Sequence, residues 1–254
     1  MNNFMTRSIT AGTLALLAFG AQAAPTVLVV GTDNGGGSTT DIASWLMASA
    51  QFSSVTALDT TSVSFATMSA YDEVLFFTNH GGDPVGNGDA LASFAATGKR
   101  LVVSTFSYAE QGSNTLAGAF LSGGYSPFTS LGGSLYSTAS MGANDASALF
   151  TGVATLSNYY RDNVVAAAGA TLNASYDDGV ALVATKGNVI GVNVFPDDSF
   201  GGVSGDHRQL FVNALSVPVA AVPEPETYAM LLAGLGLVGA ATRRRRQPAE
   251  PVAA

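Results

Sequence analysis

Cysteine is absent from the 254 residues. That excludes disulfides, thiolate metal sites and a cysteine nucleophile, and it is compatible with an oxidising compartment without requiring one. Histidine is nearly absent too, with only His80 and His207. Neither belongs to a His-Glu-x-x-His pair, so no metal site is expected. Charged residues make up 11% of the chain, and positive charge is scarcest in its middle. Arg7, Arg243, Arg244, Arg245 and Arg246 account for five of the ten basic residues. Between Ala24 and Val222 there remain Lys99, Arg100, Arg161, Lys186 and Arg208 against fifteen acidic residues, a balance near -10. Such a surface repels phosphate backbones, so nucleic acid is not an expected partner.

What is present is most distinctive at the two ends. Residues 1–23 read as a secretory signal peptide: Arg7 gives the charged start, Ala11 to Gly20 the apolar centre, and Ala21-Gln22-Ala23 a small-x-small cleavage site. At the other end Val222-Pro-Glu-Pro-Glu226 precedes an apolar run from Tyr228 to Ala241, and four consecutive arginines follow. Pro223 and Pro225 prevent a helix from running back into the preceding domain, so residues 218–227 read as an extended linker. The uncharged run predicts a transmembrane helix over 228–242, shorter than the ~20 residues of a comfortable bilayer span. Arg243, Arg244, Arg245 and Arg246 form a stop-transfer cluster that stays cytoplasmic, within a basic tail over 243–254.

This order of parts resembles the PEP-CTERM sorting signal of Gram-negative bacteria, with Pro223-Glu224-Pro225 as its motif. The extension from Gln247 to Ala254 departs from it, since such tails usually stop soon after the arginines. The resemblance implies an exosortase-type membrane protease as partner and a transient inner-membrane intermediate. It also implies delivery to the cell surface or the extracellular space, and a link to exopolysaccharide and biofilm. The plainer alternative is an ordinary C-terminal anchor behind a Pro-rich linker.

Between the ends, residues 24–217 read as one α/β domain. Pro25 to Gly31, Glu73 to Thr78 and Lys99 to Ser104 are apolar runs expected of strands buried on both faces; Ser54 to Leu58 is a shorter strand. Helices are expected from an Asp41 cap to Ala50, with Ile42, Trp45 and Leu46 on one face, and from Asp89 to Thr97, closed by Gly98. The alternation predicts a parallel sheet with helices on both faces. Phe106 to Asn158 is rich in Gly, Ser and Ala and reads as loops around a helix near Leu116 to Leu121. Strands follow at Val164 to Leu172, Val180 to Thr185 and Val189 to Phe195, with Lys186-Gly-Asn188 as a hairpin turn. A last helix runs from Gly205-Asp206 to Leu215.

The order of elements resembles the class I glutamine amidotransferase-like fold, a flavodoxin-like α/β sandwich. Ser104-Thr-Phe-Ser107, after the apolar strand Leu101 to Val103, stands where that family has its nucleophile elbow. Gly191-Val-Asn-Val-Phe-Pro-Asp197 resembles the family's run that supplies a catalytic His and Glu, with Phe195 at the His position and Asp197 at the Glu position. A Cys-His-Glu relay needs a thiolate and an imidazole to take its proton, and both are missing. The resemblance therefore implies the fold without the chemistry, no catalytic residues and no cofactor.

Weaker candidates remain open. His80, Asp197 and His207 are possible ligand-site residues at element ends, where open sheets place ligands. A hydrolase relay from Ser104 or Ser107 through His207 to Asp197 or Asp206 is the alternative function, although no Gly-x-Ser-x-Gly elbow supports it. The Gly35-Gly-Gly-Ser-Thr39 loop lacks the lysine of a phosphate-binding loop. Asp177-Asp178 and Asp197-Asp198 lack the alternation of a calcium loop. Tyr125 and Tyr159-Tyr160 could stack on sugar rings or equally serve the core.

Overall fold

A computed structural model describes residues 23–109 and 112–217. The cleavage residue Ala21, the linker with Pro223, Glu224 and Pro225, and the apolar run lie outside these residues. So do the stop-transfer residues Arg243, Arg244, Arg245 and Arg246. The strands are β1 (Thr26–Thr32), β2 (Ser54–Asp59), β3 (Glu73–Thr78), β4 (Arg100–Ser104), β5 (Phe128–Asn144), β6 (Leu156–Ala166), β7 (Thr171–Tyr176), β8 (Ala181–Lys186), β9 (Val189–Val192) and β10 (Val203–Gly205). The helices are α1 (Ser38–Ala48), α2 (Phe65–Ser69), α3 (Pro84–Ala95), α4 (Ala119–Ser122) and α5 (His207–Ser216).

Strands β2-β1-β3-β4-β9 are neighbours in that order and all parallel, the flavodoxin-like arrangement. Their apolar runs are continuous because both faces are covered. Val27, Val29, Leu75, Phe77, Val102 and Ile190 share one core with Ile42 and Leu46 of α1 and Leu210 and Phe211 of α5. The alternate residues Leu28, Val30, Val74, Phe76, Leu101 and Val103 share the other with Met68 of α2, Leu91 and Phe94 of α3 and Phe120 of α4. The period of two thus sorts neighbouring residues into two layers.

The parallel sheet is only half of what forms. Beyond β9 the ladder continues through β8, β7, β5, β6 and β10 with antiparallel pairing throughout, so the sheet is mixed. The expected loops between Phe106 and Asn158 are largely the 17-residue β5. Its Gly, Ser and Ala residues have little strand preference, and pairing on both sides supplies what propensity lacks. Register shifts between Ser130 and Ser134 and between Tyr136 and Ala139 interrupt its ladder with β6, and bulges of this kind bend a strand. The expected strand from Val164 to Leu172 is two strands, β6 and β7, separated at residues 167–170, with Gly169 at φ 76°. The turn at Gly187-Asn188 forms as expected and joins β8 to β9, Lys186 pairing with Val189.

Helix starts also shift. Asp41 lies in the first turn of α1, whose N-cap is Gly37 at φ 91°. Helix α3 begins five residues before Asp89, because Asp83 caps it by accepting from the Gly86 amide at 2.9 Å and Pro84 presets its first turn. Glycines 86 and 88 argue against a helix there on propensity. Packing explains Gly88: a Cβ on it would stand 1.9 Å from the Ala117 carbonyl oxygen. Among the described residues no helix is long and apolar enough to cross a membrane.

Candidate functional site

The carboxyl ends of parallel strands form the crevice of an open α/β sheet. Here β3 runs into Asn79, β4 into Phe106 and β9 into Phe195. These three, with Tyr160 of β6 and Phe200, line a cleft of about 260 Å³. Its walls are a continuous set of ring contacts. Phe195 lies 5.7 Å from Phe77, 5.9 Å from Phe106 and 6.2 Å from Tyr160, and Tyr160 lies 5.1 Å from Tyr159. Phe200 is 56% exposed. Among the described residues no carboxylate, imidazole or amine lines this cleft. Of the tyrosines singled out in the sequence, Tyr160 lines the cleft and Tyr159 packs edge-on against it, whereas Tyr125 packs against the core shared by α2, α3 and α4.

The segment at the elbow position is buried and tied. Ser104 Oγ donates to the Val194 carbonyl oxygen, and Thr105 Oγ1 donates to Asn193 Oδ1 at 3.1 Å. Phe106 joins the core beneath α1 and α5, while Tyr108 joins the opposite one. Ser107, between them, has a buried hydroxyl with no hydrogen-bond partner. Phe195, which the sequence resemblance sets at the histidine position, places its ring 5.9 Å from that of Phe106. Asp197 is buried in a turn, accepting from the Ser199 amide at 2.9 Å and the Ser199 hydroxyl at 2.7 Å.

The two histidines do not complete a relay. His207 opens α5, with Nδ1 3.3 Å from the Gly205 carbonyl oxygen and Nε2 3.5 Å from Asp198 Oδ2. Asp198 is itself gripped by Arg208 at 2.7 and 3.1 Å. Burial pushes the His207 pKa below the ordinary imidazole value, against the pull of Asp198. Its neighbour Asp206 turns its carboxylate to the amides of Ala154 and Thr155, both at 2.9 Å. His80 is exposed on the loop after β3, its amide donating to the Thr32 carbonyl oxygen at 2.7 Å. Among the described residues Ser107 Oγ has no hydrogen-bond partner, so the structure does not join Ser107, His207 and an aspartate into one hydrogen-bonded set.

A buried polar cluster went unread in the sequence. Asn193, fully buried, donates to the carbonyl oxygens of Asp162 at 2.8 Å and Ala181 at 2.9 Å, and accepts from the Asp162 amide at 2.7 Å. Tyr176 donates to the Asn193 carbonyl oxygen at 2.5 Å. Burial raises the Asp162 pKa to about 7, although the amides of Tyr108 and Ala109 and the Ser134 hydroxyl oppose the rise. Arg161, 1% exposed, donates to Asp178 at 2.7 Å and lies 4.8 Å from the Tyr176 ring centroid. The one local sign of this cluster is Asn193 itself, a polar residue inside the apolar run from Val189 to Phe195.

The glycine-rich loop after β1 is satisfied internally. Asp33 accepts from the Ser38 amide at 2.8 Å, and Asp59 accepts from the amides of Asp33 at 2.8 Å and Gly35 at 2.6 Å. Two carboxylates thus occupy amides that a phosphate would need. Among the described residues no group of three or more His, Asp or Glu side chains could hold a metal ion.

No curated protein matches the chain. Solved structures match its fold at low identity. A cytoplasmic protein from Salmonella typhimurium shares 10% identity over 74% of this chain and 97% of its own, with a TM-score of 0.57. A candidate GMP synthase component from Thermoplasma acidophilum shares 12% over 76% and 94%, with a TM-score of 0.52. The mmIFT52 N-terminal domain shares 8% over 77% and 100%, at 0.54. At such identities the likeness shows the fold alone, which is glutamine amidotransferase-like. One match identifies part of the chain itself: residues 221–246, from the linker through Arg243, Arg244, Arg245 and Arg246, carry a PEP-CTERM protein-sorting motif, which indicates an exported protein processed by an exosortase.

Proposed function

We propose that the chain is exported behind its signal peptide and held briefly in the inner membrane by its tail. Cleavage there by an exosortase-type protease releases it to the cell surface or extracellular matrix. In that setting the α/β domain acts as a non-catalytic binding or structural module associated with exopolysaccharide. The observation that carries the reading is the placing of the motif. Helix α5 ends at Ser216 and the motif starts at 221, so every described strand and helix precedes it and cleavage within it leaves them intact. The non-catalytic part is supported by Phe195 at the position of the relay histidine and by the capture of the Ser104 hydroxyl by Val194.

Intact mass of the protein from the envelope and medium of its native host, with and without the exosortase, tests this. A species starting at Ala24 and ending near Pro223 to Glu226, lost without the enzyme, is expected. A species retaining Arg243 to Ala254 in both strains would make the tail a plain anchor and overturn the reading.

A further inference from the structure

Five lysine and arginine side chains lie among the described residues, and four are committed. Lys99 Nζ donates to the carbonyl oxygens of Ser69 at 2.9 Å and Tyr71 at 2.8 Å. Arg100 donates to the Val217 carbonyl oxygen, Arg161 to Asp178 and Arg208 to Asp198, each at 2.7 Å. Lys186, at the end of β8, is the fifth, and among the described residues no hydrogen bond or ion pair holds its amine. It stands without a partner in a region that carries a balance near -10, where carboxylates outnumber cations three to one.

Its location gives the amine a use. Lys186 is half-buried and lines a cavity of about 430 Å³, separate from the aromatic cleft, together with Leu116, Leu121 and Phe128. Among the described residues it is the only charged one in that lining. Its Nζ stands 3.8 Å from where a Cβ on Gly124 would be, and Gly124, at φ 73°, lines the same cavity. Ser107, whose buried hydroxyl has no partner, is also in the wall. Buried polar groups without partners are uncommon and call for an explanation. Apolar walls with a few placed polar groups are the usual make-up of a small-molecule site.

We propose that this cavity binds a small monocarboxylate with an apolar body. The carboxylate pairs with Lys186, and the body lies against Leu116, Leu121 and Phe128. One cation matches one negative charge. A phosphate, more highly charged, would meet the acidic field of the domain with a single amine to offset it. The proposal stands on the cavity and on Lys186, and does not depend on how the tail is processed.

Calorimetric titration of the full chain tests it, with hexanoate and benzoate as carboxylate probes, hexanamide as the neutral comparison and inorganic phosphate as the alternative anion. The expected result is saturable binding of a carboxylate probe. It should weaken at least tenfold in Lys186→Met, be largely kept in Lys186→Arg, and be absent for hexanamide and phosphate. Unchanged affinity in Lys186→Met, or equal binding of hexanamide, would show that the amine plays no part and overturn the proposal. So would tighter binding of phosphate, or no binding of either carboxylate. Retention in Lys186→Arg separates loss of charge from loss of fold.

Discussion

The two halves of the sheet solve the same burial problem differently. In β1, β3 and β4 the central residues are apolar and covered by helices on both faces, and stability comes from area removed from water. In the antiparallel half the strands carry Ser, Gly, Asn, Asp and Arg into the interior, and these are held by hydrogen bonds to groups far along the chain. The Asp162–Asn193 pair and the Arg161–Asp178 pair are the main examples. The first half loses stability chiefly where buried volume is lost. The second depends on every partner being present, because a buried donor or acceptor left alone bears its full desolvation cost.

Titration should separate the halves most clearly. The folded pKa of Asp162 is raised from 3.8 to about 7, so between these values the folded state binds more proton than the unfolded one. Stability is therefore fully present below the unfolded pKa and falls as pH rises from about 4 to about 7, by up to about 4 kcal/mol. Glu73, raised by burial to about 8, acts in the same direction from the parallel half. Urea unfolding should show the decline, with the Asp162 part complete by about pH 7 and the Glu73 part continuing to about pH 8. Asp162→Asn should flatten the curve below about pH 7, and Glu73→Gln should remove what persists from about pH 7 to about pH 8; a decline that Asp162→Asn leaves unchanged would break the contrast.

Removing the central polar group comes next. Asn193→Ala strands the Asp162 amide and carbonyl, the Ala181 carbonyl and the Thr105 hydroxyl, and should cost about 3 kcal/mol in urea unfolding. A cost under about 1 kcal/mol would show that water or rearrangement replaces the network. The smallest effect belongs to the boundary of the parallel half. Asp83→Ala removes the cap of α3 and should cost about 1 kcal/mol, whereas Asp83→Asn should restore most of it.

The parallel half was legible because its message is local. Val27 to Val30 and Val74 to Phe77 are short runs rich in β-branched and aromatic residues, the mark of a strand covered on both sides. The Gly187-Asn188 turn announces its hairpin by residue type. The antiparallel half was not legible, because β5 owes its strand form to β6 and β7 rather than to its own Gly-Ser composition. Gly88 was misleading for a related reason, since its value lies in the close approach of the Ala117 segment. At the site, the lack of a thiol could be read directly from the absence of cysteine, and an aromatic wall from Phe195. The rings of Phe106 and Tyr160 that meet Phe195 could not, because β6 reaches the cleft only through the pairing of the antiparallel half.

Residue order alone suffices for the sorting motif, the acidic balance of the domain, and the order of β1, α1, β2, β3, α3 and β4. Each of these depends on neighbouring residues or on simple sums of charge. Which polar groups find partners, and which cation is left without one, is set by folding in three dimensions. Those outcomes rest on contacts between residues tens of positions apart, and nothing in the local pattern specifies them.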